Sequence, residues 1–280
     1  MNYRHHYHAG NFADVMKHVL LLGLLQGMTR KDNAFCYIDT HAGLGLYDLN
    51  DVPAQKTGEY KQGIGRIPTT GDMPAWVHDY LTAIAFLQAE CGSNYYPGSP
   101  WLARGVLRPQ DRAVLVELHP HDAQDLRENF AGDPRIGVHE RNAYEAVFGL
   151  IPPKEKRGLV FIDPPYEEER KNYPQIVRLL EKAHEKWPTG VYAIWFPIKE
   201  RGMIERFYKS LQATGIKKIL TCELCVMPDD NSLGLNGTGL VVVNPPWTFA
   251  DEAQKNLEWL KPHLSEHSHA KTLVKWLVGE

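Results

Sequence analysis

Leu159-Val160-Phe161-Ile162-Asp163-Pro164-Pro165-Tyr166 is a short apolar run that ends abruptly in an acid, two prolines and an aromatic residue. Large apolar residues without alternation read as a strand buried on both faces, as in a parallel sheet. The prolines end it, because neither has a backbone N–H to give a neighbouring strand. Working outward, similar runs occur at residues 34–39, 113–118, 189–196, 217–226 and 239–244. Helical patterning separates most of them, at 120–130, 170–186, 200–213 and 251–264. A further helix is expected from Asn11 to Met28, where Val15, Val19, Leu22 and Leu25 fall near helical spacing and Asn11 can cap the first turn. Such alternation predicts an α/β fold, a mainly parallel sheet with helices on both faces.

The rhythm breaks between Asp48 and Pro100. Glycines and prolines from Gly58 to Pro74 precede one helical stretch, residues 75–89. This predicts a small, mostly helical inserted subdomain at 48–100, between residues 1–47 (N-terminal motif, helix and first strand) and residues 101–280 (the remainder of the core). With 280 residues, 43% of them hydrophobic, the chain can bury one large core. Its apolar runs are too short to span a membrane, and Arg4, His5, His6 and His8 interrupt any signal-peptide core, so a cytoplasmic protein with no membrane partner is expected. The net charge of -3 argues against a protein that coats nucleic acid generally, so a polyanion must meet a local patch. Asn2-Tyr3-Arg4-His5-His6-Tyr7-His8 mixes cations with aromatics, which suits phosphates and unstacked bases but equally describes a solvated terminus. Cys222 and Cys225 lie in an expected strand, where a spacing of three points them to opposite faces; buried thiols are expected, and no metal site. The thirteen histidines carry no matching carboxylate cluster nearby in sequence.

Three strand ends carry residues suited to chemistry. After the first strand, Asp39-Thr40-His41-Ala42-Gly43-Leu44-Gly45 can turn sharply and let a ligand approach, or simply join strand to helix; position 48 is Asp, which disfavours a dinucleotide fingerprint. Val116-Glu117-Leu118-His119-Pro120 ends a strand in a carboxylate that can take both hydroxyls of a ribose, or stay solvated. Asn142-Ala143 offers an amide for an adenine edge, or a helix N-cap. The most informative is Asp163-Pro164-Pro165-Tyr166. An exocyclic adenine amine is a poor nucleophile because its lone pair is delocalised into the ring. Asp163 and the Pro164 carbonyl can accept its two N–H groups as it rehybridises, Asp163 can take the released proton, and Tyr166 offers a face for an unpaired base. The similar Asn244-Pro245-Pro246-Trp247 follows the last strand expected here. That strand should run antiparallel, which puts its end away from the cofactor, so the second motif is read as structural.

With these residues in view the chain resembles the S-adenosyl-L-methionine (AdoMet)-dependent, Rossmann-like class I methyltransferases. More narrowly, it resembles the bacterial ribosomal RNA large subunit methyltransferase J family. The resemblance extends over most of the chain, through Tyr3-Arg4-His5, His8-Ala9-Gly10-Asn11, Asp14-Val15 with Lys17-His18, Asp39 to Gly43, Tyr96-Pro97-Gly98-Ser99-Pro100, Glu117 to Pro120 and Asp163 to Tyr166. It implies methylation of the N6 amine of one adenine, position 2030 of 23S rRNA, in protein-free RNA by a monomer. It also implies AdoMet contacts from His18, His41, Ser99, Glu117, Asn142 and Ala143, catalysis by Asp163 with Pro164 and Tyr166, and substrate contacts from Tyr3, Arg4 and His5. Where the family has Asp-Gly, this chain has Asn142-Ala143, which keeps an amide able to hydrogen-bond adenine. Two alternatives stand beside this reading. A DNA adenine-N6 methyltransferase would want an added recognition domain, and a non-catalytic nucleic-acid-binding or DNA-utilisation protein would have no need of an acid aimed at an amine.

Overall fold

In the computed structural model, which describes residues 5–228, 231, 234–265 and 267–280, one eight-stranded sheet organises the chain. Helix α1 (Phe12–Thr29) leads into β1 (Cys36–Asp39). After a two-stranded ribbon, β2 (Leu46–Asp48) and β3 (Tyr95–Pro97), with α2 (Val52–Thr57) and α3 (Ala75–Cys91) between them, α4 (Ser99–Val106) returns the chain to the sheet. There follow β4 (Arg112–Glu117), α5 (Pro120–Asn129), β5 (Ile136–Glu140), α6 (Ala143–Leu150), β6 (Gly158–Ile162), α7 (Glu169–Lys186), β7 (Val191–Ile198) and α8 (Arg201–Ala213). The chain ends with β8 (Ile219–Cys225), β9 (Gly237–Val243), α9 (Phe249–Leu264) and β10 (Lys271–Val278).

The strand order is β10-β8-β9-β7-β6-β1-β4-β5. From β7 through β6, β1 and β4 to β5 the pairs are parallel, whereas β9 is antiparallel to both β7 and β8, and β10 is antiparallel to β8. The expected α/β sheet with helices on both faces is therefore observed. The sequence reading stopped one strand short: β10 follows the supposed last strand. Its pattern is exposed along much of its length, so it lacked the apolar signature by which the other strands were found.

Strand β6 shows why apolar runs build this core. Leu159 and Phe161 point into the layer with α1, α3 and α4, while Val160 and Ile162 point into the layer with α7 and α8. Successive side chains of a strand alternate faces, so a strand covered on both sides must be apolar at every position. Cys222 and Cys225 of β8 likewise fall into opposite layers, both buried. Residues 48–100 do not form a core of their own, because Trp76, Val77, Tyr80, Ile84 and Leu87 of α3 join the layer that holds α1.

Strand β9 ends on the edge of the sheet opposite the β6 end. There the Asn244 side chain donates to the carbonyls of Pro188 and Gly190, and Pro246 packs where a side chain on Gly27 would lie. The Asn-Pro-Pro-Trp segment thus closes the fold, as the antiparallel argument predicted. Among the described residues, no helix is long and apolar enough to cross a membrane.

Gly239 of β9 faces the buried Phe196 of β7, and an added Cβ would sit 2.1 Å from the ring. The Gly239→Ala variant is expected to lose about 1–3 kcal/mol of stability, read as a lower midpoint in urea unfolding, whereas Gly105→Ala, with open space around it, should change the midpoint little.

Candidate active site

The parallel strands change direction of travel at β1, which lies between β4 and β6. At that switch the loops leaving the carboxyl ends of neighbouring strands diverge and leave a crevice. A cavity of about 600 Å³ lies there. Its walls come from the turn after β1, the ends of β4 and β6, the start of α6, the start of α4, and α1 with the N-terminal segment.

The turn after β1 is held on both sides. Thr40 donates from its backbone N and its hydroxyl to the Phe161 carbonyl of β6, and Ala42 N donates to the Val116 carbonyl of β4. Gly43 and Gly45 both have positive φ, and a Cβ on Gly43 would approach the Tyr47 hydroxyl to 2.5 Å, so glycine is required by backbone and by space. Gly43 N donates to Glu117 Oε2 at 2.9 Å and His119 N to Glu117 Oε1 at 2.8 Å. Burial raises the Glu117 carboxyl above its ordinary value, against these two donors. Each carboxylate oxygen keeps a further lone pair for a ligand hydroxyl.

His18 and His41 line the cavity as neutral rings, since burial lowers them to about 3 and about 4. His18 Nδ1 meets the Tyr96 hydroxyl at 3.0 Å, and Tyr96 meets Tyr80 at 2.7 Å, so a buried chain of polar groups fixes the ring. Ser99, Glu117, Asn142, Ala143, Asp163 and Pro164 also line the cavity. Asn142 caps α6, accepting from Tyr144 N, while facing the cavity, so the two readings of its amide are compatible.

At the β6 end, Asp163 Oδ2 accepts from Lys17 Nζ at 2.7 Å, and the same ammonium lies 2.8 Å from Asp14 Oδ1. Lys17 and Asp14 are buried. Burial disfavours both charges, but Asp14 and Asp163 together raise the Lys17 ammonium well above its usual range, and His5 and Lys17 hold the Asp14 carboxyl well below its own. Among the described residues Asp163 Oδ1 accepts no hydrogen bond, and the residue lines the cavity.

Tyr166 does not present its ring to the cavity, contrary to the expectation from sequence. Its ring is buried against Tyr173 and Trp195, with centroids 5.3 and 5.6 Å away, its hydroxyl donates to the Trp195 carbonyl, and it is not part of the cavity wall. The residue anchors the turn after β6 to β7 and offers no open face to a base. Tyr47 and Tyr144 do line the cavity, and the Tyr144 hydroxyl is buried without a hydrogen-bond partner among the described residues.

His5 lines the cavity and its Nε2 lies 2.8 Å from Asp14 Oδ2; Tyr3 and Arg4 lie outside the described residues. The sequence reading gave no role to Asp14, Lys17, Asp39 or Tyr144. A Lys and an Asp three apart on an otherwise apolar helix was the available signal for the first two. Among the described residues, no three His, Cys, Asp or Glu side chains form a group that could hold a metal ion.

A mainly parallel sheet with a crevice at its switch point, a carboxylate facing that crevice on one strand end and an acid-Pro-Pro turn on another define a Rossmann-like methyltransferase. Residues 32–278 match the model of the family described as ribosomal RNA large subunit methyltransferase D, RlmJ. The chain is 42% identical to ribosomal RNA large subunit methyltransferase J of Haemophilus influenzae and 40% identical to that of Escherichia coli, with 100% of each chain covered in both cases. A crystal structure of a Legionella pneumophila protein, 36% identical, superposes with a TM-score of 0.87 over 96% of this chain and 98% of that one. The chain belongs to the RlmJ family of methyltransferases.

The N-terminal segment is fastened to the region between β2 and β3. His6 Nε2 lies 3.2 Å from Asp51, His8 Nδ1 lies 3.0 Å from both oxygens of Glu59, and Asn11 donates to Glu59. The hydrogen bond to Glu59 raises His8 above its ordinary 6.5; burial works against Glu59, but His8 and Asn11 hold it below its ordinary 4.5. The raised histidine stabilises fully below pH 6.5 and loses its effect as pH rises through its folded value. The lowered carboxyl stabilises above pH 4.5 and loses its effect as pH falls through its folded value. Amide exchange in residues 7–10, corrected for the intrinsic rate, should therefore be slowest between these limits, and Glu59→Gln should flatten the rise in exchange above them.

Proposed function

We propose that this chain transfers a methyl group from AdoMet to the N6 amine of adenine 2030 in protein-free 23S rRNA, acting as a monomer in the cytoplasm. The observation that carries the proposal is Asp163, held by a buried ammonium at the end of β6 and opening on the same cavity as Glu117 and the Gly43 turn. Family membership supports the choice of substrate, since the relatives of Haemophilus influenzae and Escherichia coli are named as ribosomal RNA large subunit methyltransferases.

The residues fit the cofactor. Glu117 has lone pairs for ribose hydroxyls, Asn142 with Ala143 borders the space for an adenine, and the buried unpartnered Tyr144 hydroxyl is the kind of polar group that a bound ligand satisfies. His18, His41 and Ser99 line the region closer to α1 and α4, for the amino-acid end. When bound, AdoMet supplies an electrophilic methyl on a sulfonium.

The protein's part is to orient the amine and to remove one proton. Asp163 Oδ1 and the Pro164 carbonyl accept the two N–H groups, which directs the nitrogen lone pair out of the ring plane as the new bond forms. Lys17 fixes the Asp163 side chain through Oδ2. The methylated nitrogen carries a positive charge and is a strong acid, so a carboxylate suffices to take its proton. His5 borders the cavity and contacts the RNA, and the family resemblance assigns Tyr3 and Arg4 to the same substrate. Tyr166 acts from behind, by fixing the turn that carries Asp163 and Pro164.

Transfer of labelled methyl from AdoMet to protein-free 23S RNA tests the proposal. Label on adenine N6 of RNA and not of duplex DNA is expected, with Asp163→Ala reducing the rate by roughly 10²–10⁴-fold and leaving AdoMet binding measurable. Label on DNA alone would transfer the assignment to a DNA enzyme. AdoMet binding without label on either substrate would leave a protein without this activity.

A further inference from the structure

Asp39 ends β1, is fully buried and is not part of the cavity wall. Its Oδ2 accepts two hydroxyl protons, from Ser99 Oγ at 2.7 Å and from Tyr37 at 2.7 Å, and its Oδ1 accepts from His41 N at 3.3 Å. Ser99 is buried beside it and does reach the cavity. A carboxylate only accepts, and a serine hydroxyl has a single proton to give. With that proton committed to Asp39, Ser99 faces the cavity with lone pairs alone.

We infer that Asp39 is a positioning residue that fixes the Ser99 hydroxyl as an acceptor, so that Ser99 reads the ammonium of the ligand's amino-acid end and not its carboxylate. The inference rests on the AdoMet reading of the cavity and deepens it. Charge and hydrogen bonding agree. The carboxylate behind Ser99 favours a cation in front of it, and an ammonium brings donors only. For Ser99 to donate to a ligand carboxylate instead, it would have to release Asp39, leaving two anions close together with no proton between them. Asp39 is raised by burial to about 6, so the test is run at pH 8, where it is ionised. Tyr37, Ser99 and the more distant Asp163 are the side chains acting on it, with His41 contributing its backbone N–H.

The experiment uses the full chain and three ligands, with titration calorimetry as the readout and thermal melts confirming that each variant is folded. The ligands are S-adenosylhomocysteine, its analogue lacking the amino group and its analogue lacking the carboxyl group. Ser99→Ala should weaken the two amino-bearing ligands about tenfold, as for loss of one charge-assisted hydrogen bond, and the amino-less analogue less than about twofold. Asp39→Asn should show the same selective loss, and should add less than about twofold to Ser99→Ala in the double variant. A Ser99→Ala penalty that follows the carboxyl group overturns the inference. So does an Asp39→Asn penalty equal for all three ligands, which is what a merely structural role would give. If the native chain binds none of the three, the AdoMet reading itself fails, and that outcome is distinct from either of these.

Discussion

A single buried ammonium joins the two halves of the site. Lys17 of α1 lies between Asp14, three residues earlier, and Asp163, at the end of β6 and 146 residues away. Removing one member of such a buried group leaves a charge uncompensated, at a cost of about 3–5 kcal/mol. The contact therefore constrains where α1 sits as well as how Asp163 points. Asp14 extends the constraint, since its Oδ2 also accepts from Gly10 N and meets His5 Nε2. Asn11 caps the helix by accepting from Asp14 N, so the cap, the ion group and the N-terminal segment share one residue. The next residue along α1, His18, faces the same cavity and is fixed from behind by Tyr96, which belongs to β3.

The other wall depends on Glu117 in a comparable way. Its two oxygens take the N–H groups of Gly43 and His119, which shapes the turns after β1 and β4, while their remaining lone pairs face the ligand space. The same side chain thus builds the wall and presents a binding group. A Gln at this position could accept with only one of its two terminal atoms, so the negative charge and both acceptors are used by the fold before any ligand arrives.

Much of this architecture could be read from the chain, and the failures have physical causes. Strands buried on both faces, such as β6 and β9, announce themselves as apolar runs, whereas β10 at the sheet edge has Lys271, Lys275 and Trp276 exposed and passed as irregular. The strand ends carrying Glu117 and Asp163 were found because a buried run stopping in a polar residue is a local signal. Tyr166 was misread because adjacency in sequence to Asp163 says nothing about which way the ring turns; the hydrogen bond to Trp195 on β7 decides that. Lys17 was passed over because its meaning depends on a partner 146 residues distant. Asp39 was passed over because its partners, Tyr37 and Ser99, converge only once β1 and α4 are packed.

The region between β2 and β3 bears on how a chain of net charge -3 can meet a polyanion. Its acids Asp51 and Glu59 do not stand alone: Asp51 faces His6, Glu59 faces His8 and Asn11, and the Thr57 hydroxyl donates to the Tyr7 carbonyl. Gly63 lies so close to the backbone of Gly10 and Asn11 that a Cβ would fall 2.0 Å from the Gly10 carbonyl oxygen, and Ile64 N donates to that same oxygen. Backbone and side chains together fasten the region to the N-terminal segment, so its carboxylates act on histidines before they act on solvent. A carboxylate paired with a protonated histidine presents little net charge to an approaching phosphate, and the pairing grows stronger as the histidine gains its proton. Asp51 and Glu59 can thus sit beside the N-terminal segment without adding two unpaired negative charges to the surface that it shares.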